Sequence, residues 1–569
     1  MALYARVGWP WILFGWVGLV PWLAALDRAR SWRAALGVGT IMCVGFGVGV
    51  FGWFASAIQD YTGAPWIVGL LCLVVVAPLL EPQFLTAAVV RYLARRAAAG
   101  WWRTALITAG VYVGTEWALP KLFADTLGHG LYASAWMRQA ADLGGAHGLT
   151  VLLLVANDCV LALIQALASE TSAGGRLRRA WAPAAVMATV VAGLLTYGGL
   201  RYAQFQGAAA AGNGITAGII QADLSHYDRM AAQIGTFGAV RRILDTHFSL
   251  STAALGRGGV DLLVWPETVY PTTFGAPKSE AGAAFDREIG AFVTQAGVPL
   301  VFGAYDADGA AEYNAAFFLE PALDRHLRFE TYRKAALFPL TEHVPALLES
   351  SLIRHWLPWL GTWQPGTSAQ VVGLTLRDGR RVPLAPLICY DAVAPGLAIA
   401  AVRQGAELIV TLSNDSWFAY HGVPRLILIV SAFRSIETRR AQVRATNTGI
   451  SAVITASGDV TEALAVETQG ILIRAVRPER TARTLMLAWG DWCGRTSLAV
   501  AVGLLAWPAV APAMRRPAAR RFLQRRPLVY ARTRFTRGCA ASAPSDADQG
   551  RSAPAGTRRR SGARGGGPR

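Results

Sequence analysis

The amino-acid sequence predicts a polytopic α-helical membrane bundle of about seven spans joined to a soluble α/β domain. Three observations lead to this fold class. First, 53% of the 569 residues are hydrophobic and only 16% are charged, whereas soluble domains average about 25% charged residues. Second, long apolar segments fill the first 205 residues. Third, from about Ile215 short β-rich runs alternate with helical ones, which is typical of a sheet covered by helices.

Seven apolar segments are near or above the ~20 residues that a helix needs to cross the hydrocarbon. Six precede the soluble part and one follows it: Val7–Leu26, Leu36–Ile58, Pro65–Val90, Thr104–Leu122, Ala146–Ala168, Ala180–Tyr202 and Leu498–Met514. The first segment has only Arg6 as a charged start and no clear small-residue cleavage site. We therefore interpret it as retained rather than as a signal peptide.

Arginine content alternates between the loops that connect these segments. The basic loops carry Arg28, Arg30 and Arg33, then Arg91, Arg95, Arg96 and Arg103, then Arg176, Arg178 and Arg179. The intervening loops, Gln59–Ala64 and Lys121–Gly145, are poor in Lys and Arg. The positive-inside rule then places the basic loops in the cytoplasm and residues 203–495 on the opposite face of the membrane.

A net charge of +18 is typical of nucleic-acid-binding proteins, but most of the positive charge of this chain lies in its C-terminal tail. From Arg515 to the end, 15 Arg stand against Asp546 and Asp548, so the rest of the chain carries only +5. This tail has almost no aliphatic residues past Val529 and cannot bury enough apolar area to fold. We predict a disordered cytoplasmic tail lying on anionic lipid, with RNA as the alternative. None of the six cysteines forms a C-x-x-C pair, which argues against a disulfide framework and a zinc site.

The predicted division is residues 1–205 for the helical bundle, 206–490 for the α/β domain, 495–514 for the last helix and 515–569 for the tail. The main α/β runs are Ile215–Gln221, Met230–Leu255, Val260–Pro266, Ser279–Ala296, Pro299–Tyr305, Asn314–Leu319, Pro386–Cys389, Leu397–Gln404, Glu407–Ser413, Val423–Gln442, Ile450–Ala456 and Gly470–Val476.

Three side chains in this domain have the chemistry for acyl transfer by a cysteine. Cys389 ends the apolar run Ala385-Pro-Leu-Ile-Cys-Tyr-Asp391, and Glu267 follows the strand-like Val264-Trp-Pro. Lys334 lies in a loop too apolar for an ordinary solvated face. A carboxylate can take the thiol proton, and an ammonium can stabilise the thiolate and the later oxyanion. Taken singly, the cysteine reads as inert core, the glutamate as a surface acid and the lysine as a salt-bridge partner.

The motifs around these residues resemble the nitrilase, or carbon–nitrogen hydrolase, superfamily. They are Trp265-Pro-Glu267, the loop Tyr332–His343 and Ile388-Cys-Tyr-Asp391, and they occur in that family's order. With the apolar segments, residues 8–515 resemble its membrane-bound branch, the apolipoprotein N-acyltransferases. The eight-residue offset from Lys334 to Glu342 matches this branch. So do the segments Leu412–Phe418, Arg444–Gly449 and Ala141–Gly145.

This resemblance implies an α-β-β-α sandwich with Glu267 as general base, Lys334 as oxyanion stabiliser and Cys389 as nucleophile. It implies that Glu342 and Asp391 support the site and that Tyr390, Asn414 and Trp417 line the pocket; ordinary turn and core packing is the alternative for Asn414 and Trp417. The implied acyl donor is a phospholipid and the acceptor is the amine of a diacylglyceryl-cysteine. The implied location is the outer face of the cell (inner) membrane, and no metal or organic cofactor is called for.

The sequence departs from the family pattern at several positions. Asp391 replaces a glutamate, Ala419 replaces a glycine, and the usual Gln-His pair after Pro424 is missing. Trp9 onward aligns with the family's second transmembrane helix, so the N-terminus is external or the true start lies upstream.

Two other functions remain open from the sequence. A membrane-tethered amidase would use the same three residues with water as acceptor, and a related acyltransferase would use another amine. A scaffold that kept the fold without catalysis is the third possibility.

Overall fold

The computed structural model describes residues 2–119, 121–123, 125–169, 172–208, 214–224, 227–309, 311–321, 328–339, 341–344, 349–356, 361–417 and 422–514. The chain divides into a unit Met1–Val510 and a unit Ala511–Arg569. The predicted tail, 515–569, lies outside the described residues.

The N-terminal region is helical. Its helices are α1 Leu13–Val17, α2 Val20–Asp27, α3 Trp32–Phe51, α4 Trp53–Thr62, α5 Trp66–Leu80, α6 Pro82–Arg96, α7 Trp101–Ala118, α8 Ala141–Leu167 and α9 Ala173–Ala208. Short 3-10 helices cover Tyr4–Arg6, Leu127–Ala133 and Met137–Ala140.

Among the described residues, three helices are long and apolar enough to cross a membrane, or four if the pair α5 and α6 forms one span. These three are Trp32–Phe51, Met137–Leu167 and Ala173–Gln206. The expectation of about seven spans is therefore not confirmed. The first apolar segment divides into α1 and α2, with Pro21 in the first turn of α2. The third bends by 52° before Pro82, because proline lacks the N–H that would continue the helix.

The following part contains the strands and the remaining helices. The strands are β1 Ile215–Gln221, β2 Leu262–Val264, β3 Tyr270–Thr273, β4 Leu300–Asp308, β5 Ala311–Glu320, β6 Arg328–Arg333, β7 Val372–Thr375, β8 Arg381–Ile388, β9 Leu408–Ser413, β10 Gln442–Thr446, β11 Ala452–Ile454, β12 Val460–Ala463 and β13 Gly470–Val476. The helices are α10 Tyr227–Gly256, α11 Glu280–Ala296, α12 Ser351–Trp356, α13 Pro395–Arg403, α14 Gly422–Thr438, α15 Leu485–Trp489 and α16 Cys493–Met514.

The strands form two facing sheets. In the first, the order is β13-β1-β2-β4-β5-β6, with β3 also paired to β4. In the second, the order is β12-β11-β10-β9-β8-β7. One hydrophobic core joins the inner faces, with Ile219 and Val264 from the first sheet and Val410 and Val443 from the second. Because these inner residues alternate with outward ones, each sheet can also carry helices on its outer face.

Helices cover both outer faces, which completes an α-β-β-α sandwich. Helices α10 and α11 pack on the first sheet around Trp265 and Phe302. Helix α13 packs on the second sheet beside Leu387 and Ile409. The sandwich predicted from the sequence is therefore the architecture of this part of the chain.

Helix α14 connects the sandwich to the N-terminal helices. Its Ile429, Phe433 and Ile436 belong to the same core as Leu149 and Leu153 of α8. The neighbouring Ala432 packs against Ala452 and Ile454 of the second sheet. One helix thus fixes the sheet that carries Cys389 against the helical region.

Candidate active site

Glu267 lies in a sharp turn that follows β2. The next residue, Thr268, has a left-handed φ of 56°, which is unusual for a β-branched residue. The Glu267 side chain is only 5% exposed. Its Oε1 accepts hydrogen bonds from Asn314 Nδ2 at 2.7 Å and Lys334 Nζ at 3.0 Å, and its Oε2 accepts one from the Asn414 backbone N–H at 2.7 Å. The carboxylate is therefore held in one orientation.

Lys334 directly follows β6, and its ammonium bridges two carboxylates. Its Nζ lies 3.0 Å from Glu267 Oε1 and 2.7 Å from Glu342 Oε1, and the side chain is 1% exposed. Burial lowers the pKa of Lys334, but the Glu267 and Glu342 carboxylates outweigh burial and raise it well above its ordinary value. The two carboxylates therefore favour the charged form of this lysine near neutral pH.

Glu342 holds the loop after Lys334 as well as the lysine itself. Its Oε2 accepts a hydrogen bond from the Phe338 backbone N–H at 2.7 Å. Its Oε1 also receives a longer bond of 3.3 Å from Asn314 Nδ2. The side chain is 18% exposed, so Glu342 lies at the edge of the buried site.

Cys389 starts a 3-10 helix, Cys389–Val393, immediately after β8. Its φ is 45°, a left-handed conformation that costs an L-residue free energy and is enriched at functional sites. The side chain is partly buried. The turn therefore presents the thiol at the end of β8, which lies between β9 and the edge strand β7.

The charges around Cys389 oppose formation of a free thiolate. Burial, then the carboxylate of Glu267, raise the pKa of the Cys389 thiol far above its ordinary value, while Lys334 lowers it. Asp415 and Glu342 also raise it. Burial likewise raises the pKa of Glu267, which makes this carboxylate a stronger base. A proton that moves from the thiol to Glu267 leaves the net charge of the site unchanged, so proton transfer is favoured over ionisation to solvent.

Tyr390 faces the helical region. Its hydroxyl donates to the Lys121 backbone carbonyl at 2.7 Å, and its ring packs edge-on against Phe338 at 5.2 Å. Burial raises the pKa of Tyr390 to about 12, so the hydroxyl keeps its proton. The residue after Cys389 thus joins this turn to the segment that follows α7.

Asn414 contributes a backbone group rather than its side chain to Glu267. Its N–H holds Oε2, whereas its side-chain Oδ1 accepts a 3.4 Å bond from the Ser416 N–H. Trp417 ends the adjoining 3-10 helix Asp415–Trp417. The Trp417 side chain and residues 418–421, which include Ala419, lie outside the described residues.

Asn314 is a site residue that the sequence reasoning missed. It lies on β5, is 5% exposed, and donates through one Nδ2 group to both Glu267 and Glu342. Its Oδ1 has no hydrogen-bond partner among the described residues. The only sequence signal was one amide side chain at the start of an apolar strand.

Two family models match this chain. Residues 206–485 match the model described as carbon-nitrogen hydrolase. Residues 1–159 match the model described as the apolipoprotein N-acyltransferase N-terminal domain. Together they cover the helices from α1 into α8 and the strands of the sandwich, in the order of the resemblance inferred from the motifs.

The chain belongs to the apolipoprotein N-acyltransferase family.

Relatives that carry this family name are similar over most of their length. The chain is 29% identical to the apolipoprotein N-acyltransferase of Geobacter metallireducens over 78% of this chain and 81% of that protein. It is 25% identical to that of Bdellovibrio bacteriovorus over 85% of this chain and 87% of that protein. Among solved structures, it is similar to an amidase from Nesterenkonia sp., with a TM-score of 0.33 and 18% identity over 48% of this chain and 93% of that one.

Asp391 departs from the usual glutamate of the apolipoprotein N-acyltransferase family, yet its shorter side chain is fully engaged. Its Oδ2 accepts bonds from Tyr332 Oη and the Ile388 N–H, both at 2.9 Å. Its Oδ1 accepts bonds from the N–H groups of Ala335 at 3.1 Å and Ala336 at 2.7 Å. Asp391 therefore ties the Lys334 loop to the Cys389 turn.

Proposed function

We propose that this chain transfers a fatty acyl chain from a phospholipid, through a thioester on Cys389, to the N-terminal amine of the diacylglyceryl-cysteine of apolipoproteins. Family membership identifies the chain as an acyltransferase of lipoprotein maturation. The observation that carries the detailed proposal is the bonded pair Glu267–Lys334 beside the strained Cys389 turn, with Tyr390 joined to the helical region. A lipid substrate is expected at a site built against helices that cross a bilayer.

In the first step, Glu267 takes the proton of the Cys389 thiol as Sγ attacks the ester carbonyl carbon of the phospholipid. The carbonyl oxygen becomes an oxyanion, and the Lys334 ammonium stabilises its charge. When the carbon–oxygen bond to glycerol breaks, the protonated Glu267 gives its proton to the leaving oxygen. The products are a lysophospholipid and a thioester on Cys389.

In the second step, the acceptor enters as a neutral amine and attacks the thioester carbonyl carbon. Glu267 removes a proton from the attacking nitrogen, and Lys334 again stabilises the oxyanion. The carbon–sulfur bond breaks, the thiolate takes the proton from Glu267, and an amide remains on the lipoprotein. Every proton is thus passed by one buried carboxylate, which the raised pKa of Glu267 favours.

The same proposal includes the arrangement in the membrane. A bundle of about six helices within residues 1–205 and a last helix within 495–514 would make about seven spans. The catalytic part, 206–490, would lie on the periplasmic face of the inner membrane, and the basic tail, 515–569, in the cytoplasm. The alternation of arginine-rich and arginine-poor loops supports this orientation. Tyr390, Asn414 and Trp417 would line the pocket.

The proposal is tested by intact-mass measurement of the full-length protein in phospholipid nanodiscs. We expect an added mass of one acyl chain on Cys389 that hydroxylamine removes, and no adduct in Cys389→Ala. Addition of a diacylglyceryl lipopeptide should discharge the adduct and give an N-acylated peptide. Release of free fatty acid with an unchanged peptide would instead indicate hydrolysis. Absence of any adduct would reject the thioester mechanism.

A further inference from the structure

The Glu267 carboxylate depends on one backbone group for the orientation of its second oxygen. Oε1 receives bonds from two side chains, Asn314 and Lys334, whereas among the described residues Oε2 receives only the Asn414 N–H, at 2.7 Å. If the Asn414 backbone moves, Glu267 Oε2, which accepts its hydrogen bond, moves as well. Whatever fixes the backbone at Asn414 therefore fixes the base.

The next residue, Asp415, has the contacts to do this. It is 1% exposed, and its Oδ1 accepts a 2.6 Å hydrogen bond from Ser413 Oγ at the end of β9. Its Oδ2 forms an ion pair with Arg444 Nη2 at 3.0 Å. Gly449 leaves the space for this carboxylate, since a Cβ at Gly449 would collide with Asp415 Oδ2. The turn after β9 is thus fastened to β10 and to the loop that follows it.

Arg444 depends on the same carboxylate. It lies on β10 and is completely buried, and its Nε and Nη1 have no hydrogen-bond partner among the described residues. In that part of the chain, Asp415 is the only carboxylate in ion-pair contact with Arg444. A buried cation and anion that rely on each other in this way favour one geometry over nearby alternatives.

We propose that Asp415, held by Arg444, is a positioning residue for the reaction, because it sets the backbone N–H that orients Glu267 toward the Cys389 thiol. The inference rests on the proposed roles of Glu267 and Cys389. It assigns no contact with substrate to Asp415 or Arg444.

A purely electrostatic role predicts the opposite effect of substitution. Negative charge on Asp415 is among the influences that raise the pKa of the Cys389 thiol, with Glu267 and Glu342, against Lys334. If Asp415 acted only through this charge, Asp415→Asn would make the thiol easier to ionise and more reactive. If it positions Glu267, the same change makes the thiol less reactive.

The test is the rate at which iodoacetamide alkylates Cys389 in the full-length protein, measured by peptide mass spectrometry between pH 6 and 9. We expect Asp415→Asn to lower the rate at pH 7 about tenfold, since misplacement by about 1 Å can cost up to 100-fold. Gly449→Ala, which displaces Asp415 without changing any charge, should lower it similarly. Gly396→Ala, where the added methyl meets nothing within 4 Å, should leave it unchanged.

A faster or unchanged rate in Asp415→Asn, or wild-type alkylation in Gly449→Ala, would overturn the inference. Alkylation needs neither phospholipid nor lipopeptide, so failure of the proposed acyl transfer is distinguishable from failure of this proposal. If Asp415→Asn does not fold because Arg444 is left uncompensated, Gly449→Ala still decides the question.

Discussion

Lys334 carries two functions that a second substitution, at Glu342, can separate. It is the cation proposed to stabilise the oxyanion, and it is also the charge that permits Glu267 and Glu342 to be buried 3.0 and 2.7 Å from its nitrogen. A buried carboxylate without a partner is costly, so stability and catalysis both depend on this ammonium.

We predict that Lys334→Met lowers the rate of acyl-adduct formation about 10²- to 10³-fold, the usual cost of losing one oxyanion donor. It should also destabilise the protein by about 3–5 kcal/mol, because two carboxylates lose their cation. The measurements are intact-mass kinetics and thermal unfolding in detergent. In Lys334→Met/Glu342→Gln the stability should partly recover while the rate stays low. Recovery of the rate would contradict the role of Lys334.

Asp391 gives the site a pH dependence of its own. Burial raises the pKa of Asp391 to about 6, although the N–H groups of Ala336 and Ile388 act to lower it. Below pH 6 the carboxyl becomes protonated and loses an acceptor position for one of its four hydrogen bonds. The link between the Lys334 loop and the Cys389 turn then loosens.

We therefore predict that alkylation of Cys389 declines as the pH falls through about 6, beyond the effect of thiol ionisation alone. Tyr332→Phe removes a donor that stabilises the ionised form of Asp391, so it should raise the pKa of Asp391 and move this decline to higher pH. Alkylation by pH-jump mass spectrometry measures the shift. An unmoved decline in Tyr332→Phe would assign it to Glu267 instead.

Strand β4 determines where Glu267 can lie. The N–H of Gly303 donates to the Pro266 carbonyl at 3.0 Å. A Cβ at Gly303 would come within 2.6 Å of Glu267 Cα and 2.5 Å of the Thr268 nitrogen. The strand approaches the turn this closely because Gly303 has no side chain.

We predict that Gly303→Ala displaces Glu267 and lowers acyl-adduct formation at least tenfold, since the obstructing atoms are backbone atoms that cannot rotate away. The control is Gly218→Ala on β1 of the same sheet, where the atoms nearest to the added methyl are side-chain atoms of Leu263 and Val260 at 3.1 Å. The measurement is the rate of acyl-adduct formation in both variants, followed by intact mass. Equal rates in the two would show that β4 does not control the base.

The elements with strong hydrophobic patterns could be predicted from the sequence. Strands β1, β4, β9 and β13 coincide closely with apolar runs. Strand β6 was missed because its sequence, RFETYR, is polar and largely exposed at a sheet edge. Strand β10 was missed, because the predicted helical run Val423–Gln442 includes only its first residue and no run was predicted over 443–446. A buried helix and a buried strand look alike without a break signal. The break is Arg439, whose φ of 54° ends α14.

The sequence predicted parts of the candidate site that are formed by side chains, and not those formed by backbone groups. Glu267 and Cys389 each stand at the end of a recognisable run, and Lys334 lies in a loop that is unusually apolar for a solvated face. The structure brings Glu267 and Lys334 into direct contact. The Asn414 N–H that holds Glu267 has no signature in the sequence, because every residue except proline has one. Long-range contacts such as Tyr390 to Lys121 likewise depend on tertiary packing.

At the scale of the molecule, a buried ion cluster joins the catalytic part to the helical region. Asp142, in the first turn of α8, accepts bonds from Arg439 Nη2 at 2.7 Å, Arg201 Nε at 2.8 Å and Tyr197 Oη at 2.7 Å. Arg439 also donates to the Gln139 carbonyl at 3.1 Å. Arg439 has a left-handed backbone with a φ of 54°, a strained conformation that is retained where the surrounding contacts fix it.

We predict that Arg439→Gln destabilises the protein by about 3–5 kcal/mol, because it removes one partner of a fully buried ion pair. The loss should be larger than for Arg201→Gln, since Arg201 is 19% exposed whereas Arg439 is not exposed. Thermal unfolding of the two variants in the same detergent gives the comparison. Helix α14, which ends just before Arg439, packs against α8 and against the second sheet. Arg439→Gln should therefore also speed proteolysis between residues 439 and 459. It should not change the pH dependence of Cys389 alkylation. An altered pH dependence would mean that the cluster acts on the active site and not only on the junction.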